Sequence, residues 1–222
     1  MTDVSTADVS TADESTTDDS ATEASWSKGE RTRRAILDAA IVRFSRDGYR
    51  GTSLTSVARD AGITPSGIYP YFANKEALFV AAVDEDAARE IQEGLAGLRT
   101  EDLVGGSQHV IFGLLGALEG HPLARRVLAG LEPEFTVRLI GIPALAQLRK
   151  NLAENLRVLQ ASGMVRDDLD PAGVANGLVT ICLSLLMSLV QTGSEPADLL
   201  GEDVISVFDA VLRPVHSLTT SY

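Results

Sequence analysis

Cysteine is almost absent: Cys182 is the single one in 222 residues, so no intramolecular disulfide can staple the fold and apolar burial must hold it together. Aromatic residues make up 5% of the chain. No Gly-rich phosphate loop, nucleophile elbow, HExxH or well-placed pair of catalytic carboxylates occurs, so neither an enzyme nor a cofactor is expected. His109 and His121 have no cysteine or carboxylate at ligand spacing, so no metal site is expected either. No basic patch followed by an apolar run opens the chain, which reads as cytoplasmic. No period-two alternation competes with helical spacing beyond residue 26, and the expected fold class is all-α with about nine helices.

The net charge of −12 disfavours an anionic partner only until it is divided along the chain, because the field at a binding surface is local. Residues 1–25 carry seven acids and no base, and VSTAD occurs twice, at 4–8 and 9–13. Such a segment cannot bury apolar area to offset its ordering entropy, so 1–25 reads as a disordered acidic arm. An arm competing with DNA for basic surface is the alternative. Residues 26–80 hold nine Lys and Arg against five Asp and Glu, a net +4, whereas 81–222 hold ten against nineteen, a net −9. Any nucleic-acid contact therefore belongs to 26–80.

Order is expected from Trp26 onward. Ser27 and Glu30 have capping-box spacing, the stripe Ile36, Leu37, Ala40, Ile41 and Phe44 marks a first helix, and Gly48 ends it. Leu54, Val57, Ala58 and Ala61 define a second helix that Gly62 breaks. Thr64 and Pro65 read as N-cap and first residue of a third. Ile68 and Phe72 should face inward, leaving Pro65, Ser66, Tyr69 and Tyr71 at or near the surface. Asn74 can cap a fourth helix from Lys75 through Leu78, Val83 and Ile91. Further helices are expected over 102–119, 123–130, 133–161, 171–192 and 198–213, the third kinked or split by Pro143, with 215–222 a flexible tail.

Thr52-Ser53, Val57-Ala58, Ala61-Gly62-Ile63-Thr64, Ile68-Tyr69, Tyr71-Phe72 and Lys75-Glu76-Ala77-Leu78 together resemble the DNA-binding signature of TetR/AcrR-family transcriptional regulators, over roughly residues 30–79. The resemblance implies an N-terminal three-helix helix-turn-helix DNA-binding domain at 26–80, the motif itself at 53–72, followed by a larger helical effector-binding and dimerisation domain at 81–214. Ser53 and Gly67 fall within the motif. Thr55, Thr64, Pro65, Ser66 and Tyr69 sit where family members touch base edges or thymine methyls, and Thr52, Tyr71 and Lys75 where they hold phosphates. Lys28 and Arg31 are phosphate neighbours at the start of the first helix. The plainer alternatives are core aromatics for Tyr69 and Tyr71 and a solvated face for Arg31, Arg33 and Arg34.

Two departures from the family pattern, Gly67 and Pro70, loosen the recognition helix, which should be short and end near Tyr71. No Arg, Asn or Gln occupies a groove-facing position, so specificity leans on methyl contacts and DNA shape. The implied partners are a double-stranded, palindromic operator and a second copy of the chain, joined through helices 171–192 and 198–213. The uncharged run 171–194 has the length of a membrane span, but Thr180, Ser184, Ser188 and Gln191 form a polar stripe on it that favours a soluble helix pair. A small, largely apolar effector is also implied, with His109, Phe112, His121, Phe135, Met164, Cys182 and Met187 as candidate pocket residues and ordinary core as the alternative. Repression is the family's commoner mode; an activator, or a helical scaffold without DNA binding, are the competing readings.

Overall fold

The computed structural model describes residues 27–99, 107–193 and 210–212. The acidic arm and the C-terminal tail lie outside the described residues, as does all but 210–212 of the helix expected over 198–213.

Helix α1, Lys28–Gly51, starts as its sequence dictates. The Glu30 amide donates to Ser27 Oγ at 3.2 Å and the Ser27 amide to Glu30 Oε2 at 2.7 Å, satisfying two N–H groups that the first turn leaves open. Gly48, at φ 71, breaks the helix before a last turn runs on to Gly51. Helix α2, Leu54–Asp60, is capped by Ser53, whose hydroxyl accepts from the Ser56 amide. The chain then turns at Gly62, φ 70, into α3, Pro65–Ile68, a single 3₁₀ turn. Asn74 Oδ1 accepts from the Ala77 amide at 2.8 Å and opens α4, Lys75–Gly94.

The remaining helices are α5, Ser107–Ala117; α6, Pro122–Leu128; α7, Thr136–Leu139, entered through a 3₁₀ turn at Pro133–Phe135; α8, Pro143–Ala161; and α9, Pro171–Thr192. These nine helices, with no strand among the described residues, match the expected class. The helix expected over 133–161 is divided, with Pro143 at the first turn of its long part, where a missing amide hydrogen costs nothing. Asp170 fixes the start of α9 by accepting from the Ala172 and Gly173 amides.

Helix α4 is common to both halves. Its Leu78 and Phe79 enter the core formed with Ile36, Leu37 and Phe44 of α1, whereas Ile91 packs beside Ile111 and Leu114 of α5. The α4–α5 crossing is close enough that a Cβ on Gly113 would lie 2.2 Å from the Gly94 carbonyl oxygen, so only glycine fits there. Helices α8 and α9 pack on each other and close the second half.

Candidate functional site

The reading face is built on two buried anchors. Ile68 is fully buried and Phe72 nearly so; they seat α3 beside α2 in the core shared with α1 and α4, while Thr55, Thr64, Pro65 and Ser66 stay exposed. Tyr69, the residue after α3, is 57% exposed. Tyr71 is half-buried, with part of its side chain packed against the core. The helical part of this segment is shorter than expected. Pro70 has no amide to donate and Gly67 adds backbone freedom, so α3 ends at Ile68 and the backbone passes through turns in which Tyr71 and Phe72 both donate to the Ile68 carbonyl.

The side chains of two residues expected at phosphates, Thr52 and Lys75, make hydrogen bonds within the protein. Thr52 is 3% exposed, and its hydroxyl donates to the Gly48 carbonyl at 2.9 Å. Lys75 Nζ donates to the Tyr49 and Thr52 carbonyls at 2.8 and 3.0 Å and lies 4.3 Å from the centre of the Tyr49 ring. The ammonium satisfies carbonyls that the end of α1 leaves unpaired. Lys28 and Arg31 are exposed at the start of α1, and Ser53 is exposed at its cap position. Arg33 lies over the Phe72 ring. Arg43 pairs with Asp60 and Asp47, holding the Asp60 carboxyl below the usual carboxylate range through its hydrogen bonds.

The end of α1 is also tied to the second half. The buried Glu132 accepts from the Tyr49 amide at 3.0 Å and from Arg126 Nε at 2.8 Å. Gly48 makes room for this: a Cβ there would fall 2.5 Å from an Arg126 nitrogen and 2.9 Å from Glu132 Oε1. The Tyr49 ring packs between Phe79 and Phe135, with centroids 5.2 and 4.5 Å away. Arg138 of α7 pairs with Glu76 in the first turn of α4.

Behind this joint lies a cavity of about 630 Å³ walled by α4, α5, α6, α8 and α9. Its surface is mainly aliphatic, with Val83, Ile111, Leu148, Leu152, Leu183 and Leu186 among the lining residues. Of the seven expected pocket residues, Cys182 and Met187 line it; the other five do not. His121 is held by Asp86 and Glu93, its ring nitrogens 3.1 and 3.2 Å from their oxygens. Phe135 completes the aromatic core. His109 and Phe112 lie on the outward side of α5, because Ile111 and Leu114 take the inward one, and Met164 is exposed beyond the end of α8.

Periodicity alone missed Glu90, which lines the cavity at 6% exposure. A signal was available: Ala82, Asp86, Glu90 and Gly94 are buried at four-residue spacing, so two carboxylates occupy the apolar stripe of α4. Asp86 is satisfied by the Leu123 and Ala124 amides, at 3.0 and 2.8 Å, and by His121. Glu90 Oε1 has no hydrogen-bond partner among the described residues, and burial pushes the Glu90 carboxyl up to about 7 against the opposing pull of His121.

Helix α9 is long and apolar enough to cross a membrane by length and composition, and 22% of its most apolar window is buried within one subunit. Thr180, Ser184, Ser188 and Gln191 all lie on exposed positions, as does the apolar Ile181.

Comparison with known proteins agrees with this architecture. The family described as bacterial regulatory proteins, tetR family, matches residues 36–82. The HTH-type transcriptional regulator YdgC of Bacillus subtilis is 31% identical over 191 residues, covering 80% of this chain and 91% of its own. The HTH-type transcriptional repressor Rv1474c of Mycobacterium tuberculosis is 29% identical over 168 residues, covering 74% and 84%. The crystal structure of a TetR-family transcriptional regulator from a Rhodococcus species shares the fold, with a TM-score of 0.60 at 21% identity, over 82% of this chain and 99% of that one. With the exposed helix-turn-helix, the helical second half and relatives matched over nearly their whole length, the chain belongs to the TetR family of DNA-binding transcriptional regulators, which are not enzymes.

Proposed function

We propose that this regulator is a repressor that holds a palindromic operator as a homodimer and releases it when a small, largely apolar molecule enters the cavity behind α4. The observation that carries the reading is the placement of α4. Its first turn abuts the reading face, and its last turns line a cavity large enough for a drug-sized ligand. A ligand that prefers one arrangement of those walls changes DNA affinity by linkage. Ties from Glu132 to Tyr49 and from Arg138 to Glu76 give that preference a route to the reading face. The relative from Mycobacterium tuberculosis, named a repressor, supports the sign of regulation.

On DNA, the 26–80 unit reads base edges and thymine methyls with Thr55, Thr64, Pro65, Ser66 and Tyr69, while Ser53 and Gly67 shape the motif. Lys28, Arg31 and Tyr71 sit against phosphates, and Lys75 contributes its backbone N–H at the start of α4. A single 3₁₀ turn offers few contacts, so two copies related by a two-fold axis are needed for useful affinity. The 81–214 unit supplies the dimer through α9 and the 198–213 segment, covering the face of α9 that one subunit leaves exposed, where Ile181 lies among the short polar side chains of Thr180, Ser184 and Ser188. That use of α9 favours a soluble, cytoplasmic protein over a membrane-anchored one.

Gel-shift and salt titration with the DNA upstream of the gene test this reading. Affinity should fall log-linearly with salt. Tyr69→Ala should weaken specific binding by about 1–2 kcal/mol, and Lys28→Ala should lower the salt slope by about one. A monomer without duplex affinity at low salt would overturn it in favour of a scaffold.

A further inference from the structure

We infer that the effector is a largely apolar molecule bearing one protonated nitrogen, and that Glu90 is the group that recognises it. The inference rests on the cavity being the effector site and adds the chemistry that the site selects.

The contrast between two acids one helical turn apart carries the argument. Asp86 and Glu90 face the same buried side of α4. Asp86 has three donors from the protein, the Leu123 and Ala124 amides and His121. Glu90 has an oxygen shielded from solvent with no donor among the described residues, and it is the acid that lines the cavity. A buried carboxylate without partners is costly, and the large majority of buried polar side chains find at least one. His121 cannot serve, because both its ring nitrogens already face Asp86 and Glu93. The free valence of Glu90 therefore points to a donor brought from outside.

The remaining lining fixes the sign of that donor's charge. No Lys, Arg or His lines the cavity among the described residues. The charged or titratable groups around Glu90 are Asp86 and Glu93 on α4, His121 at the start of α6 and Cys182 on α9. Burial pushes the Cys182 thiol up to about 12, so it stays neutral. An anionic ligand head would meet acids with no countercharge, and a neutral hydroxyl would supply one donor without relieving the buried charge. An ammonium supplies both donor and countercharge, and charge-assisted hydrogen bonds are the stronger kind. In a cavity with mainly aliphatic walls the pairing is weakly screened, which sharpens selection by charge.

Calorimetric titration of the full-length protein with decylamine, decanol and decanoate separates these possibilities, because the three share an alkyl body and differ in head group. Decylamine should bind about tenfold or more tightly than decanol, and decanoate most weakly. Glu90→Gln, which removes the charge while keeping side-chain volume, should cost decylamine about tenfold and change decanol by less than about twofold. Equal binding of all three, or a ranking that survives Glu90→Gln in a folded variant, overturns the role of Glu90 while leaving the cavity as an apolar effector site. If none of the three binds the wild-type protein, the cavity reading itself fails and this inference with it.

Discussion

The two ends of α4 sit in differently built surroundings. Around Leu78 and Phe79 the packing is dense and aromatic, with Tyr49 and Phe79 each in ring contact with both Phe44 and Phe135. Around Glu90 the same helix borders an interior space of about 630 Å³. Close packing holds α3 in one fixed geometry, as the proposed reading of DNA requires. The proposed binding of an effector requires room, and around that space the lining residues forgo contacts they would otherwise make. Stability in this molecule is therefore unevenly distributed, and the unevenness can be tested from both sides.

The largest expected effect compares truncations at the two ends. Phe79→Ala should destabilise by about 3–5 kcal/mol, because it empties a filled site, whereas Met187→Ala on the cavity wall should cost about 1 kcal/mol or less, since it enlarges a space already present. Urea unfolding of the two variants measures the gap, and equal losses would mean that the cavity is closed up in solution.

Next in size is the pH response of Glu90. Its carboxyl is raised from 4.5 to about 7 in the fold, so folding favours the protonated acid. Stability from this group is complete below about 4.5 and declines as pH rises, because the unfolded chain releases its proton first; the loss is complete above about 7. The decline amounts to no more than about 3 kcal/mol. Glu90→Gln should abolish it, so the variant should gain on the wild type in denaturant midpoint between about pH 5 and about pH 8, and parallel profiles would refute the burial account.

The smallest expected effect lies at the joint. Gly48→Ala combines a left-handed backbone position with displacement of Arg126 and Glu132, and should cost about 1–3 kcal/mol in thermal unfolding. If the Glu132–Tyr49 tie transmits the effector's influence, the same variant should also reduce ligand-induced release from DNA at temperatures where it is fully folded. Unchanged release would leave α4 and the Arg138–Glu76 pair as the remaining route.

Much of this organisation was legible in the residues themselves. The Ser27–Glu30 box, the Gly48 and Gly62 breaks, the Pro65 start, the Asn74 cap and the limits of α9 depend on near neighbours, so local chemistry defines them. The inward positions of Ile68 and Phe72 follow from four-residue spacing. The role of Lys75 was not legible, because it is decided by carbonyls at the end of α1 that come near only after the chain turns; that of Thr52 depends on the geometry of the α1 terminus, where its hydroxyl reaches the Gly48 carbonyl. Five of the seven expected pocket residues lie away from the cavity for a related reason. Helical periodicity says that a residue faces inward, but a filled core and a hollow one present the same stripe, so Phe135 and Leu183 look alike until neighbouring helices are placed.

The sequence alone therefore determined the helical class, the net-positive charge of 26–80 and the exposure of Pro65, Ser66 and Tyr69 within it, since these rest on spacing, caps and local charge. Only tertiary structure decided which buried acid is satisfied and which is left open. Asp86 and Glu90 share the buried stripe of α4, and helical spacing does not tell them apart; the start of α6 brings two amides and an imidazole within hydrogen-bond reach of Asp86 and not of Glu90 Oε1.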